Sequence, residues 1–211
     1  MKKGTCYIVG AGDMTSRNLQ TKNNDLLIAA DGGYLHLSQL GLRPDFVIGD
    51  MDSFHGQVIG VPLLRFPVRK DDTDLSLALK LGRKIGYNRF KIYGASGGQR
   101  EDHFIAALQL MGGWSKEGYS LQLIAPHYTI YTLTDSCLLL TQKAGYTISV
   151  FSHSANSLGV SLKGLSYEAR NISLGHSHPL GVSNAIGPSG RAVICVKKGT
   201  LLIYAAHRNI H

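Results

Sequence analysis

The sequence contains few cysteines and no long apolar stretch, and both absences narrow the kinds of protein it can encode. Its 211 residues include only three cysteines, Cys6, Cys137 and Cys195, which are far apart and stand mostly in apolar runs. This pattern favours buried thiols in a reducing cytoplasm over a disulfide framework or a zinc site. No apolar run approaches the roughly 20 residues that cross a bilayer, and 6–9 is too short for a signal-peptide core. We therefore predict a cytoplasmic protein that does not bind membranes.

The chain also lacks any block of like charge, although its net charge is +8. Its lysines and arginines are scattered or form doublets such as Arg69-Lys70, and no basic stripe alternates with aromatic residues. Nucleic acid is therefore not an expected partner. A phosphorylated small molecule would account for the positive charge equally well.

Residues 1–125 alternate short apolar runs with helical patterns. Residues 74–86 and 102–112 each carry apolar side chains on one helical face, and Thr73 is the predicted N-cap of the first helix, with Asp74 in its first turn. Strands that alternate with helices predict an α/β domain with a mainly parallel, Rossmann-like sheet. The predicted strands are 5–9, 26–30, 46–48, 63–66, 90–93 and 121–125.

Residues 126–211 have a different texture, because helical periodicity disappears and short β-rich runs follow one another. Turn residues such as Lys143-Ala144-Gly145 separate these runs, which predicts an all-β sandwich as a second domain. We place the boundary near 124–130, without a flexible linker. The predicted strands are 129–133, 137–140, 146–151, 159–162, 192–196 and 200–205.

Polar loops follow most of the predicted strands of the first domain. The loops after 5–9, 26–30, 46–48 and 90–93 all carry glycine, and those after 26–30 and 46–48 also deliver aspartates. In an open α/β sheet, ligands bind at the carboxyl ends of the strands. The polar loops therefore predict a ligand site along one edge of the sheet.

The most informative loop is Gly49-Asp50-Met51-Asp52-Ser53, which follows the run 46–48. The spacing of Asp50 and Asp52 points both carboxylates the same way at a strand end. Two like charges placed together call for a cation, and Mg²⁺ that bridges to substrate phosphates is the commonest choice. A polar turn after a strand is an equally common explanation for an isolated motif of this kind.

Two further polar clusters stand at predicted helix starts. Capping alone would explain one or two of the acids in Lys70-Asp71-Asp72-Thr73-Asp74, but not three beside a lysine. In 97–103, Gly97 and Gly98 allow close approach of a ligand, Arg100 offers a planar fork for phosphate oxygens, and Asp102 opens the next helix. Three such clusters along one edge favour a single shared site.

Taken in order, these motifs resemble the thiamine pyrophosphokinase family, and the resemblance extends over most of the chain. Its most specific part is the pair formed by 49–53 and 71–74. One departure is Gln99, which adds a residue between the glycines and Arg100. The motifs that carry the resemblance are Asp31-Gly32-Gly33, Pro44-Asp45, Gly49-Asp50-Met51-Asp52-Ser53, Lys70-Asp71-Asp72-Thr73-Asp74, Arg100-Glu101-Asp102-His103, Gly164-Leu165-Ser166-Tyr167 and Gly181-Val182-Ser183-Asn184.

The resemblance implies an α/β nucleotide domain followed by a β-sandwich, paired as a homodimer. It implies transfer of a pyrophosphoryl group from ATP to the hydroxyl of thiamine, with Mg²⁺ as cofactor and AMP as second product. The residues it implies are Asp50, Asp52 and Asp74 for the metal; Asp71, Thr73, Arg100 and Asp102 for phosphate and hydroxyl positioning; Gly10, Gly12, Asp31, Gly32, Ser53, Lys70 and Gly98 for the nucleotide; and Tyr167, Ser183 and Asn184 for thiamine.

Three other functions remain open from the residues alone. A phosphohydrolase of the haloacid-dehalogenase kind would use Asp50 as nucleophile, but there the motif follows the first strand, and here two strand-like runs precede it. An NAD-dependent oxidoreductase depends on Gly10-Ala11-Gly12, which lacks the third glycine of the fingerprint. A non-enzymatic thiamine or nucleotide sensor would not need three acidic clusters.

Simpler local explanations also exist for several of the candidate residues. Tyr167 fits a packed aromatic of a β domain, and Ser183 and Asn184 fit a turn. His176 and His178 form a pair with metal-ligand spacing, but no third ligand is evident and we predict a loop there.

Overall fold

The computed structural model describes residues 4–49, 57–66, 72–98 and 100–207. The predicted site residues Asp50, Asp52, Ser53, Lys70 and Asp71 lie outside these ranges. The chain divides into two compact units, Met1–Leu110 with Leu121–Pro126 and Met111–Ser120 with His127–His211. The whole fold is a mixed arrangement of many strands and few helices.

The first unit is built on a sheet with strand order β6-β5-β1-β2-β3-β4. Parallel pairing joins β1 to both β2 and β5, and continues through β3 to β4. Helix α3 runs across the division between the units. The elements are β1 (Cys6–Val9), β2 (Leu26–Ala30), α1 (Gly33–Gln39), β3 (Phe46–Gly49), β4 (Leu63–Arg65), α2 (Asp74–Ile85), β5 (Arg89–Tyr93), α3 (Glu101–Lys116) and β6 (Ser120–Ile124).

The central strands are apolar along their whole length because both faces of this sheet are covered. Every residue of β1 and β2 is buried. On one face Tyr7, Leu27, Val47 and Tyr93 pack with Leu37 of α1. These buried strands hold the polar loops at their carboxyl ends in fixed positions.

Helix α2 forms as predicted. The Thr73 side chain accepts a hydrogen bond from the Ser76 N–H, and the helix ends at Gly86 in the left-handed conformation. Its buried face includes Ala78 and Leu79. Gly82 lies so close to β5 that a Cβ there would stand 2.7 Å from Cε1 of Phe90.

The second unit contains two antiparallel arrays, ordered β12-β9-β14-β7 and β11-β10-β13-β8. Buried side chains of both arrays, such as Ile148 and Ile203 from the first and Val160 and Ile194 from the second, share one core. The strands are β7 (Tyr128–Thr134), β8 (Cys137–Leu140), β9 (Thr147–Ser152), β10 (Asn156–Lys163), β11 (Ala169–Gly175), β12 (Gly181–Ala185), β13 (Ala192–Cys195) and β14 (Thr200–Ala206).

The sequence does not predict β11 and β12. In β12 the pairing register with β9 shifts between Gly181 and Asn184, and Ser183 has a φ of 59°. Such a bulge breaks the strict alternation by which a strand is recognised in sequence. Ser183 and Asn184 are therefore strand residues, and their interpretation as turn residues is wrong.

The expectation of three buried thiols is also wrong for two of the cysteines. Cys137 and Cys195 stand directly opposite each other on β8 and β13, and a disulfide joins them across a Cα–Cα distance of 4.1 Å. Antiparallel pairing brings together residues that are 58 positions apart in sequence. Cys6 is free and buried as predicted, and burial raises the pKa of its thiol well above the usual range. Among the described helices, none has the length and apolar character needed to cross a membrane.

Candidate active site

A cavity of about 230 Å³ opens where β1, β2 and β5 end. The strands β2, β3 and β4 extend to one side of β1, whereas β5 and β6 lie on its other side. The chain therefore changes direction at β1 and β5, and α/β sheets bind ligands at such a point. The lining residues include Gly10, Ala11, Gly12, Asp31, Thr73, Asp74, Tyr93, Gly94, Gly98, Arg100 and His103.

Two glycine loops form one wall of the cavity, one after β1 and the other after β5. The N–H groups of Gly10 and Gly12 donate to the carbonyls of Tyr93 and Gly94, both at 2.8 Å. A Cβ on Gly10 would stand 2.6 Å from the Gly94 oxygen, and a Cβ on Gly94 would stand 2.2 Å from the Gly10 oxygen. The two backbones therefore approach more closely than any side chain would permit.

His36 of α1 supports this wall from outside. Its Nε2 lies 2.9 Å from the carbonyl oxygen of Gly12. Because a carbonyl can only accept, Nε2 must carry the proton and donate it. The sequence analysis missed His36, since seven residues of α1 are too few to show helical periodicity.

Asp31 immediately follows β2, with a φ of 48°. Its N–H donates to the Ile48 carbonyl at 2.7 Å, and its carbonyl accepts from Tyr34 N at 3.2 Å. Its Oδ1 is buried, and no hydrogen-bond partner for it exists within the described part of the chain. The motif's second glycine, Gly33, packs on β1 so closely that a Cβ would stand 1.9 Å from the Val9 oxygen.

The start of α2 forms another part of the lining. Thr73 caps the helix, and Asp74 occupies its first turn. Both residues line the cavity. Asp72, by contrast, forms an ion pair with Lys80 at 2.7 Å and accepts from the Ser76 hydroxyl at 2.8 Å. One acid of this cluster therefore has a structural role.

Arg100 and Asp102 form a bidentate pair at the start of α3. The Nε–Oδ1 and Nη2–Oδ2 distances are 3.0 and 2.8 Å. The hydrogen bond from the guanidinium lowers the pKa of Asp102 to about 2. Arg100 also lines the cavity.

The predicted thiamine residues belong to the second unit. The Tyr167 side chain is 76% exposed, so the interpretation of it as a packed aromatic is wrong. Asn184 is buried and binds the Tyr167 backbone twice, accepting from its N–H at 2.9 Å and donating to its carbonyl at 2.7 Å. Ser183 N donates to the Ser149 hydroxyl at 3.1 Å.

The structure thus brings seven predicted residues to one cavity: Gly10, Gly12, Asp31, Thr73, Asp74, Gly98 and Arg100. Gly32 is the N-cap residue of α1, and neither it nor Asp102 is among the lining residues. His103 also lines the cavity, although it had no assigned role. Within the described ranges, no group of three His, Cys, Asp or Glu side chains is placed to hold a metal. His176 and His178 therefore have no third ligand of these types among the described residues.

Comparison with known proteins identifies the class to which this fold and cavity belong. The family described as thiamin pyrophosphokinase, catalytic domain, matches residues 18–123, which is about half of the chain. The chain therefore belongs to the thiamin pyrophosphokinase family.

Individual relatives agree with this assignment. A thiamine pyrophosphokinase of Bacillus subtilis is 28% identical over 191 residues, which covers 87% of this chain and 88% of the relative. The crystal structure of a Bacillus subtilis thiamine pyrophosphokinase superposes with a TM-score of 0.86 at 25% identity, covering 97% of this chain and 99% of that one. The enzyme of Candida albicans shares the fold, with a TM-score of 0.78 at 15% identity over 97% and 89% of the two chains.

Family membership confirms the function predicted from the sequence motifs. The reaction of the family is ATP-dependent transfer of a pyrophosphoryl group to thiamine. The phosphohydrolase, the oxidoreductase and the non-enzymatic sensor are therefore set aside.

Proposed function

We propose that the cavity at the ends of β1, β2 and β5 is the ATP site of a thiamine pyrophosphokinase. The observation that carries the proposal is the joint lining of one cavity by the glycine loops, Thr73, Asp74 and Arg100. Backbone-lined loops allow polyphosphate to approach closely, and a guanidinium matches phosphate oxygens in geometry and charge. In this proposal the first domain, residues 1–125, acts as a Rossmann-like nucleotide domain.

The donor set suits a hard divalent cation, and we assign it to Mg²⁺. Asp74 supplies a carboxylate to the cavity, and Asp50 and Asp52 follow directly on β3. Carboxylate oxygens are the ligands that Mg²⁺ takes beside substrate phosphates. When bound, the ion neutralises charge on the polyphosphate. Lys70 and Ser53 complete the proposed phosphate-binding groups, and Asp71 is assigned to positioning the attacking hydroxyl.

The chain's own contribution to the reaction is mainly positioning. The thiamine hydroxyl oxygen forms a bond to the β-phosphorus of ATP while the bond from that phosphorus to the α–β bridging oxygen breaks. AMP leaves with that oxygen, and the hydroxyl proton passes to solvent. Asp102 accepts a hydrogen bond from the hydroxyl and orients it. With a pKa of about 2, this carboxylate stays ionised at neutral pH but holds a proton poorly.

The role of Asp102 can be tested against its neighbour on α3. Asp102→Asn should lower kcat without moving the limbs of the pH profile between pH 5 and 8, because its carboxylate titrates far below that window. Glu101→Gln, an exposed acid one position earlier, is the matched control and should leave kcat unchanged. A limb that vanishes in Asp102→Asn would show that Asp102 takes the proton.

On the thiamine side, we assign contact to Tyr167 and Ser183 and positioning to Asn184. Thiamine is a cation, and an exposed aromatic face attracts cations. Both polar groups of the Asn184 side chain bond to the Tyr167 backbone. We therefore expect Tyr167→Ala to raise KM for thiamine far more than KM for ATP.

We further propose a homodimer in which the β-sandwich, residues 126–211, of one chain completes the site of its partner. Three apolar side chains near β12 are exposed: Tyr167 at 76%, Leu180 at 67% and Val182 at 49%. A second copy of the chain would cover them. Mixing Asp52→Asn with Tyr167→Ala subunits should restore part of the activity, because one heterodimer site regains both residues. A monomer by light scattering, or no recovery after confirmed subunit exchange, would contradict shared sites.

The reaction itself is tested by incubating the protein with ATP, Mg²⁺ and thiamine. AMP should form in step with thiamine diphosphate, and EDTA should abolish both products until Mg²⁺ is restored. ADP with thiamine monophosphate would indicate an ordinary kinase. Inorganic phosphate without a thiamine product would indicate a hydrolase. Full activity in EDTA would contradict the assignment of a metal ion to the site.

A further inference from the structure

A buried oxygen of Asp31 has no hydrogen-bond partner, and it lies in the lining of the candidate nucleotide cavity. This holds for the described part of the chain. A buried acceptor without a partner is costly, and native structures seldom keep one without a functional reason. A ligand that donates a hydrogen bond would satisfy Oδ1.

The backbone of Asp31 is fixed, which limits the positions that its side-chain oxygens can take. The N–H and carbonyl of Asp31 are bonded to Ile48 and Tyr34, and Gly49 packs so closely that a Cβ there would stand 3.1 Å from the Asp31 Cα. The φ of 48° is a conformation that most side chains avoid and that aspartate and asparagine tolerate. Strained positions of this kind gather at ligand sites.

The place of Asp31 in the sheet indicates which part of a nucleotide it meets. Strands β1 and β2 are parallel neighbours, so Gly10 after β1 and Asp31 after β2 stand side by side. The glycine loops and Arg100 suit phosphates, whereas a carboxylate repels them. Asp31 is not among the proposed metal ligands and lines the same cavity, so it can meet a hydrogen-bond donor of the nucleotide beside the phosphates, and the sugar hydroxyls are such donors.

We propose that Asp31 recognises the ribose of ATP by accepting a hydrogen bond from a sugar hydroxyl at Oδ1. Dinucleotide-binding sheets use the same arrangement, with a glycine loop after the first strand and an acid about 20 residues further on that binds a ribose hydroxyl. The inference rests on the proposed ATP site. It predicts that this site binds ribonucleotides more tightly than deoxyribonucleotides.

The test is calorimetric binding of ATP, 2′-deoxy-ATP and 3′-deoxy-ATP with Mg²⁺ and without thiamine. The wild-type protein should bind ATP about 10- to 100-fold more tightly than at least one deoxynucleotide, the range expected for a hydrogen bond to a charged group. Asp31→Gly, which removes the side chain without straining this φ, should weaken ATP binding by that factor and leave the discriminated deoxynucleotide unchanged. Asp31→Asn, which keeps one acceptor oxygen, should retain part of the preference.

A matched control exists at Asp135, which has a φ of 47° and a side chain bonded to Gly199 N in the second unit. Asp135→Gly should leave the preference among the nucleotides unchanged. Equal binding of all three nucleotides by the wild type would overturn the inference, as would an equal loss for all three in Asp31→Gly. Inosine triphosphate, titrated in the same way, tests recognition of the base: its rejection with full acceptance of both deoxynucleotides would also overturn the inference, since Asp31 would then bind the adenine amine.

Failure of the ATP site itself has a separate signature. In that case the product assay would yield neither AMP nor thiamine diphosphate. If products form while the sugar has no effect on binding, only the ribose inference fails.

Discussion

The two units of the molecule treat their polar groups in opposite ways. At the strand ends of the first unit, bare glycine backbones approach each other, and Asp31 Oδ1 has no partner within the described residues. In the second unit, buried and half-buried hydroxyls bond to one another, as in Ser152 with Ser157 at 2.8 Å and Thr134 with Thr200 at 2.9 Å. Satisfied networks make a core specific and rigid, whereas unsatisfied groups around a cavity are available to a ligand.

The largest effect should follow from removing charge at the cavity. Asp74→Asn is expected to lower kcat by about 100-fold or more, because in the proposed site this carboxylate helps to hold the ion that neutralises polyphosphate. Thermal unfolding without ligand should occur at the same or a higher temperature, since like charges repel in an acidic site. Asp50→Asn and Asp52→Asn should behave alike. A variant that unfolds but keeps its specific activity would show that Asp74 is structural.

Adding one methyl group to the glycine wall should be nearly as damaging. The new Cβ in Gly94→Ala would meet the Gly10 oxygen at 2.2 Å in a backbone with a φ of 60°, so we expect a loss of about 1–3 kcal/mol in stability and about a tenfold rise in KM for ATP. Gly113→Ala is the control, because nothing lies within 4 Å of its Cβ and alanine favours a helix. Equal melting temperatures for both variants would contradict the close approach.

The disulfide should affect stability without affecting the nucleotide site. Replacing Cys137 and Cys195 by serine opens a link between residues 58 positions apart, which we expect to lower the unfolding free energy by about 2–4 kcal/mol. Chemical denaturation of both proteins measures this difference. KM for ATP should stay unchanged, because neither cysteine lines the cavity. A rise of KM for ATP in the serine variant would contradict the expectation that the disulfide affects stability alone.

The smallest effect should follow from removing the His36 side chain, which supports the glycine loop after β1. His36→Ala removes one hydrogen bond to the Gly12 carbonyl, which corresponds to a rise of about fivefold in KM for ATP. KM for thiamine and kcat should not change, and His36→Gln, which can still donate, should recover part of the loss. Steady-state kinetics that show a fall in kcat alone would contradict a role in positioning the loop.

The sequence predicts the parts of this fold that depend on local pattern. Helix α2 could be predicted from its Thr73 cap and its apolar face, and the buried strands from their short apolar runs. Helix α1 could not, because it has seven residues, and β12 could not, because its bulge breaks the alternation.

The same distinction applies to the candidate site. Gly10, Asp31 and Arg100 could be predicted to share a cavity, because parallel strands place their following loops at one edge. The pairing of Cys137 with Cys195 and the clamp of Asn184 on Tyr167 could not, because strand register and not sequence distance decides such contacts. For Asn184 a second reason applies, because the sequence does not predict its strand, β12.

The bulge at Ser183 also bears on how this protein avoids unwanted association. Strand β12 stands at the end of its array, and a regular strand at such an edge offers free backbone groups to any extended chain. The pairing between Gly181 and Asn184 is irregular, and Ser183 has a positive φ. The backbone groups of β12 therefore do not form the regular row that another strand could pair with. In the proposed homodimer the contacts of this face would be made by the side chains of Tyr167, Leu180 and Val182 and not by strand pairing, which would favour a closed pair over a growing fibre.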